Sequence, residues 1–542
     1  MIAKLLSKES ATISAAALLL AVSMFGSRVL GLLRDRLLAS QFGASQELDI
    51  YFAAFRIPDF VYGILIMGGF TAVFLPIFSE YFEKNREEAF RSASNVLNVL
   101  LVLLSGFAVL LFLLMPFLIH FVLPGFSAEA KDATVPLARL MLLSPILLGV
   151  SAVFSGMLQY FGRFLVYSLA PLLYNVGIIF GIVFFVPVMG LIGLAWGVVL
   201  GALLHLAIQV YPAFQKGFSW KRSLQFFHPA ILQIAKLMVP RIVGAAAFHV
   251  NLVVITALAS TLAVGSIAIL NFANNLHFFP IGIIGISLAT AAFPVLSRAA
   301  AQKDNMVFKE ALLGTFRSIF FFAIPVASIM FLLRSHTIRL VLGTGEFGWV
   351  ETRLTAAVLG AFVLGVVAQA LVPLFARAFF ALQNTKTPTV IGMLSIAGNI
   401  LLALLFLWLF SFPNAFSGFI ASFLDVADIA DLRVIALPLA VSLAVSFQAF
   451  FLFLFLQLRI KGMDLKALTM ALNKMGVAGL IMGGAGYLVL QLTYPLFLLD
   501  TFWSVALQAS LVAFAGFAAY LLTVKIFRLP EYNTFLSLFL KK

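Results

Sequence analysis

The 542-residue sequence contains no cysteine, which excludes disulfides and thiolate metal sites. Charge is nearly as scarce. Asp, Glu, Lys and Arg make up 10% of the chain against 63% hydrophobic residues, with 59 Phe and a mean hydropathy of +1.12. No soluble globular chain of this length has that composition. The sequence also lacks an HExxH, a GxSxG, a cysteine nucleophile and a nucleotide-binding loop. Its intramembrane carboxylates are too few for a metal-dependent phosphotransfer centre, so neither an enzyme nor a cofactor is expected. Short segments alternating between apolar and polar residues are missing as well, which excludes a β-barrel.

What remains is a set of long apolar runs rich in Leu, Ala, Phe and Gly, each long enough to cross ~30 Å of hydrocarbon as a helix. About fourteen are counted, over 12–42, 52–82, 94–119, 134–160, 165–186, 190–214, 232–262, 265–297, 311–333, 354–382, 388–411, 434–459, 468–493 and 500–526. The fold class is therefore all-α and polytopic. The first run is too long for a cleaved signal peptide and carries Arg28, Arg34 and Arg36 near its far end, so it is read as a retained span. Basic residues collect in alternate loops, at Lys4 and Lys8, Lys84 to Arg91, Arg163, Lys216 to Arg222, Lys303 and Lys309, Lys386, Lys461 and Lys466, and Lys525 to Lys542. The loop with Glu47 and Asp49, and the one with Asp425, Asp428 and Asp431, lie on the other side. Both termini are expected in the cytoplasm. The net charge of +14 is then a topology signal and a membrane-surface preference, not a nucleic-acid footprint.

The chain also resembles itself. TAVFLPIFS at 71–79 matches TAAFPVLS at 290–297, pairing Pro76 with Pro294 and Ser79 with Ser297. QYFGRFLVYSLAPLLYN at 159–175 matches QNTKTPTVIGMLSIAGN at 383–399, pairing Gln159 with Gln383 and Asn175 with Asn399. Repeats six spans apart keep the same sense, which describes a parallel duplication. The expected organisation is an N-terminal lobe over 1–215, a C-terminal lobe over 216–460, and two additional helices over 461–542.

Arg28 and Arg34, with Asp35, sit inside the first apolar run. Charges at membrane depth are costly and mark the route of a polar or charged substrate, so transport is the first hypothesis. Plainer roles stand beside it. The arginines can snorkel at a helix end, and Asp49 can cap the second span. Asn271, Asn274 and Asn275 can join helices, while His249 and His277 fit packing better than a proton relay. Pro58, Pro240, Pro280 and Pro388 kink or end helices.

Several strings resemble the lipid II flippases of the MurJ/MviN group, within the multidrug/oligosaccharidyl-lipid/polysaccharide exporter superfamily. They include SRVLGLLRDRLLASQFGA at 27–44, LDIYFAAFRIPDF at 48–60, FTAVFLPIFSEY at 70–81, LMLLSPILLGVSAVFSGMLQYFGRF at 140–164, FPIGIIGISLATAAFPVLSR at 279–298 and RAFFALQNTKTP at 377–388. The resemblance implies two six-helix lobes around a cationic cavity, two extra C-terminal helices, and a polyprenyl-diphosphate sugar carrier moved from the inner to the outer leaflet. It also implies functional roles for Ser27, Arg28, Arg34, Asp35 and Asp49, the arginines as anion ligands. A diphosphate suits a guanidinium fork, which binds it bidentately and keeps its charge.

The sequence departs from the family pattern at two expected arginines, which align with Tyr62 and Asn275; Arg56 is placed to compensate in part. Ile255 and Ala403 stand where acidic residues of a sodium site are expected, leaving Asn399. A monomeric transporter of the bacterial cell membrane is expected, with membrane lipids and a lipid-linked oligosaccharide as its partners. The alternatives are a flippase for another polyprenyl-diphosphate-linked saccharide and an integral-membrane glycosyl- or phosphotransferase. The latter requires clustered acids in one loop, and the only such cluster, Asp425 to Asp431, reads as a short solvated amphipathic helix.

Overall fold

In the computed structural model, which describes residues 13–64, 69–497 and 501–539, the chain is all-α. Lys4, Lys8, Lys541 and Lys542, which contribute to the orientation argument, lie outside the described residues. Eleven helices are long and apolar enough to cross a membrane, or twelve if the bent pair Pro229–Val239 and Gly244–Ser260 is one span. The chain divides into two compact units, Met1–Ala268 and Ile269–Lys542.

The first unit contains α1 (Ile13–Phe42), α2 (Gln46–Ala54), α3 (Arg56–Tyr62), α4 (Phe70–Lys84), α5 (Arg86–Val122), α6 (Ala128–Met141), α7 (Leu143–Tyr160) and α8 (Phe164–Phe180). A π-helical turn, Gly181–Phe185, leads into the short α9 (Val186–Met189), followed by α10 (Ile192–Gln215) and α11 (Pro229–Ser260). The next helix, α12 (Ser266–Pro280), begins as the first unit ends.

The second unit continues through a π segment, Ile281–Ile286, into α13 (Ser287–Ala301), α14 (Asn305–Leu332), α15 (Arg334–Leu342), α16 (Trp349–Val363), α17 (Val366–Ala381) and α18 (Lys386–Leu409). It ends with α19 (Ala415–Phe423), α20 (Ala436–Arg459), α21 (Leu465–Thr493), α22 (Phe502–Ile526) and α23 (Pro530–Phe539). Polar residues mark many of the starts. Asn85 accepts from Glu87 N and Glu88 N at the head of α5, and Asp304 accepts from Met306 N and Val307 N at the head of α14. Each such cap satisfies backbone donors that the helix itself cannot pair.

The packing within each unit repeats the other's. α4 packs on α5 and α7, as α13 packs on α14 and α17; α10 packs on α6, α7 and α8, as α20 packs on α16, α17 and α18. Pro76 lies within α4 and Pro294 within α13, both 15-residue helices. The span α6–α7 is interrupted at Leu142, and its counterpart α16–α17 at Leu364 and Gly365. One detail does not repeat. Where α8 meets α10, Gly177 faces the backbone of Gly201, and Gly181 faces that of Gly197, so closely that neither position has room for a Cβ. Small residues permit this approach, and in lipid such packing does much of the work that hydrophobic burial does in water. Gly398 on α18 has open space where a Cβ would stand.

The two C-terminal helices of the second unit, α21 and α22, pack on each other and on α14. Tyr520 donates to Phe321 O at 2.8 Å, His336 pairs with Gln508 at 3.0 Å, and Arg317 of α14 binds Glu531 of α23 at 2.6 Å. The acidic stretch Asp425 to Asp431 is not helical, contrary to the expectation from its spacing. Asp425 takes a left-handed φ of 61° just after α19 ends, and Arg353 gathers the following turns through Asp425 O and both oxygens of Asp428.

Candidate functional site

The polar residues of α1 fall on one face because four and seven residues bring a helix back to nearly the same side. Ser23, Ser27 and Arg34 meet a matching series on α8, and these contacts tie the two helices together. Ser23 donates to Ser168 at 2.9 Å. Asn175 donates to Ser27 Oγ at 3.3 Å and to Pro171 O at 3.2 Å, and its carbonyl accepts from Arg34 Nη1 at 3.3 Å. Arg34 also binds the neighbouring carboxylate, with Nε and Nη2 at 3.0 and 2.8 Å from Asp35 Oδ1. Asp35 is buried, whereas the Arg34 side chain keeps 22% of its exposure. The guanidinium is thereby oriented without being enclosed. Arg28, rotated away from Ser27 along the helix, is exposed.

The same unit holds a cavity of about 330 Å³ lined by residues of α3, α6, α7, α8 and α10. Its polar lining is Asp59, Tyr62, Ser144, Tyr174 and His205; the remaining walls are apolar, including Phe55 and Leu148. Behind it, His205 Nδ1 is 2.8 Å from Ser151 Oγ, Gln209 Nε2 donates to the same hydroxyl at 2.8 Å, and Ser155 donates to Gln209 Oε1 at 2.6 Å. This buried chain of side chains holds α7 against α10. Arg56 begins α3 one turn before Asp59 and is half-buried.

Asp49 is placed differently from the arginines. It is 3% exposed, and its Oδ2 accepts from Gly265 N at 2.7 Å while Oδ1 accepts from Ala268 N at 2.8 Å. It caps the start of α12, not the second span, whose own start at α2 is capped by Ser45 through Leu48 N at 3.3 Å. Asn275 lies on α12 within the second unit and is half-buried. His277, on the same helix, stacks on Phe362 with ring centroids 4.3 Å apart and pairs with Gln369 at 3.2 Å, a packed and bonded histidine. The His249 ring occupies the space above Gly63, where a Cβ would collide with it.

Of the seven residues singled out from sequence, Ser27, Arg34 and Asp35 thus share one network, Arg28 adjoins it, Arg56 stands beside the cavity, and Asp49 and Asn275 lie elsewhere. Reading the sequence missed Asn175 as the link and Asp59, Tyr174 and His205 as the cavity lining. Asn175 had a signal in its repeat partner Asn399, and Asp59 had one as a carboxylate inside an apolar run.

Comparison with known proteins agrees with this architecture. Residues 38–507 match the lipid II flippase MurJ family. A probable lipid II flippase MurJ of Buchnera aphidicola is 30% identical over 370 residues, covering 67% of this chain and 72% of that protein. The lipid II flippase MurJ of Burkholderia cenocepacia is 28% identical over 389 residues, covering 69% and 75%. A solved lipid II flippase MurJ in an inward closed conformation superposes with a TM-score of 0.75 at 25% identity, over 94% of this chain and 98% of that one. An inward-facing multidrug resistance MATE family transporter of the MOP superfamily shares the fold, with a TM-score of 0.65 at 16% identity, over 84% of this chain and 99% of that one. With most of its length matched in sequence and nearly all of it in structure, the chain belongs to the lipid II flippase MurJ family.

Proposed function

We propose that this protein moves the lipid-linked peptidoglycan precursor lipid II, on its polyprenyl-diphosphate carrier, from the inner to the outer leaflet of the bacterial cell membrane by alternating access. Family membership carries the reading, and the Arg34 network supports it chemically. A diphosphate head cannot cross hydrocarbon unaided, and a guanidinium already oriented by Asp35 and Asn175 offers a fork with part of its surface still open. Arg28 and Arg34 are the proposed anion ligands. Ser27 and Asp35 position them, Arg56 supplements their charge, and Asp49 acts through the start of α12. Asn275 is a proposed polar contact for the head group.

The protein works as a monomeric carrier, not an enzyme, with both termini in the cytoplasm, two six-helix lobes over 1–215 and 216–460, and membrane lipids around it; no nucleic acid partner enters. Outward movement of an anionic head is downhill in an inside-negative membrane, by ~2.3 kcal/mol per charge per 100 mV. Tyr62 and Asn275, where family arginines are expected, favour as a second reading a related lipid-linked saccharide with a different head. Mass spectrometry of lipids that copurify with the full chain tests both. A disaccharide-pentapeptide head supports lipid II, another head supports the second reading, and the absence of any polyprenyl diphosphate defeats both.

A further inference from the structure

Lys474 is a cation set within the apolar helix α21, past its start at Leu465. Its ammonium donates to Phe527 O, just beyond the end of α22, at 3.3 Å. The bond joins the two C-terminal helices and uses one of the three donors that an ammonium carries. Beside it lies a pocket of about 380 Å³, whose lining includes Lys466, Asn473 and Lys474 with Met470, Val477 and Phe527. No residue of that lining is acidic. The acids closest in sequence are engaged elsewhere: Asp464 caps Ala467 N at 2.9 Å, and Glu531 binds Arg317. Among the described residues no ion pair reaches Lys466 or Lys474, and no hydrogen bond reaches the Lys466 ammonium or the Asn473 amide.

The spacing along α21 sorts these groups by depth. Lys466, Met470, Asn473 and Val477 recur at steps of four, three and four residues, which is one face of a helix, and Lys474 adjoins that face. Beyond Val477 the same face continues with Leu480, Ile481 and Leu488, all exposed. A helix of 29 residues is ~44 Å long, against ~30 Å of hydrocarbon. Its first turns therefore stand at the depth of lipid head groups, and Leu480, Ile481 and Leu488 at the depth of acyl chains. Lys461, Lys525 and Arg528 flank the same end of the helix pair. Cations at one end and bare apolar surface beyond them match an amphiphile with an anionic head. A free anion would leave the apolar face unused. A zwitterionic lipid brings its own cation, which two lysines without a neighbouring carboxylate repel.

We propose that this pocket binds the head phosphate of an anionic membrane phospholipid, whose acyl chains lie along Val477, Leu480 and Ile481. Lys466 and Lys474 supply the attraction, and the Asn473 amide donates a hydrogen bond to a phosphate oxygen. Phe527 O holds the Lys474 ammonium in place beforehand, so less side-chain freedom is lost when the phosphate arrives. Because Lys474 already reaches from α21 to the end of α22, a phosphate bound to it strengthens the helix pair that packs on α14. The lipid is a resident ligand of that pair and not cargo, so the proposal is independent of which lipid the protein carries.

Native mass spectrometry of the full chain, titrated with phosphatidylglycerol or with phosphatidylcholine of the same acyl chains, tests this. The wild type should bind one phosphatidylglycerol at least about tenfold more tightly than phosphatidylcholine, as two lysines at an anionic head group permit. Lys466→Gln and Lys474→Gln should each weaken phosphatidylglycerol by about fivefold and leave phosphatidylcholine unchanged. Lys466→Arg should bind like the wild type, and Lys303→Gln, on another loop, should change neither lipid. Lys474→Gln also gives up the bond to Phe527 O, so Lys466→Gln separates binding from folding. Phosphatidylglycerol should raise the melting temperature of the wild type more than phosphatidylcholine does, and the difference should vanish in the double variant. Equal affinity of the wild type for the two lipids overturns the proposal, as does phosphatidylglycerol binding that Lys466→Gln leaves unchanged. Displacement of the lipid by inorganic phosphate would put a free anion in the pocket and overturns the lipid assignment.

Discussion

Replacing Asp49 separates a ligand from a cap. Its two oxygens satisfy Gly265 N and Ala268 N in a buried setting, at 2.7 and 2.8 Å. Asp49→Ala leaves both donors unpaired, at ~1–3 kcal/mol each, and removes a helix cap of ~1 kcal/mol that overlaps with the same bonds. A net loss of about 2–4 kcal/mol follows. Asp49→Asn keeps one carbonyl oxygen and remains a good capping residue, so its loss is about 1–2 kcal/mol. At about 2 °C per kcal/mol for a unit of this size, the melting temperature of the detergent-solubilised protein should fall by roughly 4–8 °C for Ala and by half that for Asn. Fluorescence-detected size exclusion after heating reads the shift. Transport should fall in the same order, and a substitution elsewhere that stabilises the protein should partly restore it. An Asp49→Ala protein that melts like the wild type yet fails to transport would refute the cap and make Asp49 a ligand.

Arg34→Ala and Arg28→Ala should abolish complementation of flippase-depleted cells at near-normal expression, while Lys84→Ala stays silent; Arg34→Lys should recover less than half, because the fork to Asp35 is lost. Flipping in proteoliposomes should be indifferent to replacing sodium by potassium at fixed potential, since Ala403 offers no ligand beside the buried Asn399; a steep sodium dependence would contradict this. Because the chain has no cysteine, single cysteines introduced at 84 and 303 should label from the inside and one at 428 from the outside, and the reverse pattern would overturn the orientation. Arg353 holds the Asp428 carboxyl below the usual carboxylate range through hydrogen bonds; the link is therefore intact above the ordinary Asp pKa and lost as pH falls through the depressed one, so Arg353→Ala should return Asp428 to ordinary titration in NMR of the labelled loop.

The helices, their apolar outer faces and the internal repeat were legible because they are written in composition and in spacing, both of which act locally. The charges of Arg34 and Asp35 were legible for a related reason: charge inside an apolar run stands out, whereas Ser27 was reached only through the family resemblance. What escaped the sequence depends on pairing across distance. Asp49 finds its donors 216 and 219 residues away, and no periodicity announces that. Asn175 reads as one more polar residue in a helix until its carbonyl is seen against Arg34. Asp59 is a carboxylate inside an apolar run, but only its place in the cavity lining separates it from a helix-start acid. The non-helical course of Asp425 to Asp431 was missed because Asp428 answers to Arg353, some 75 residues earlier.

The glycine contacts between α8 and α10 bear on how the two halves have aged since the duplication. At Gly177, Gly181, Gly197 and Gly201 the addition of a single carbon collides with opposing backbone, so the genetic code offers these four positions almost no neutral neighbours. Across the duplication, Leu401 and Leu405 stand where Gly177 and Gly181 do here. Drift is closed at this contact, and a library of random substitutions selected for cell survival should record the four glycines as nearly invariant columns, whereas Gly398, with open space where a Cβ would stand, should accept alanine.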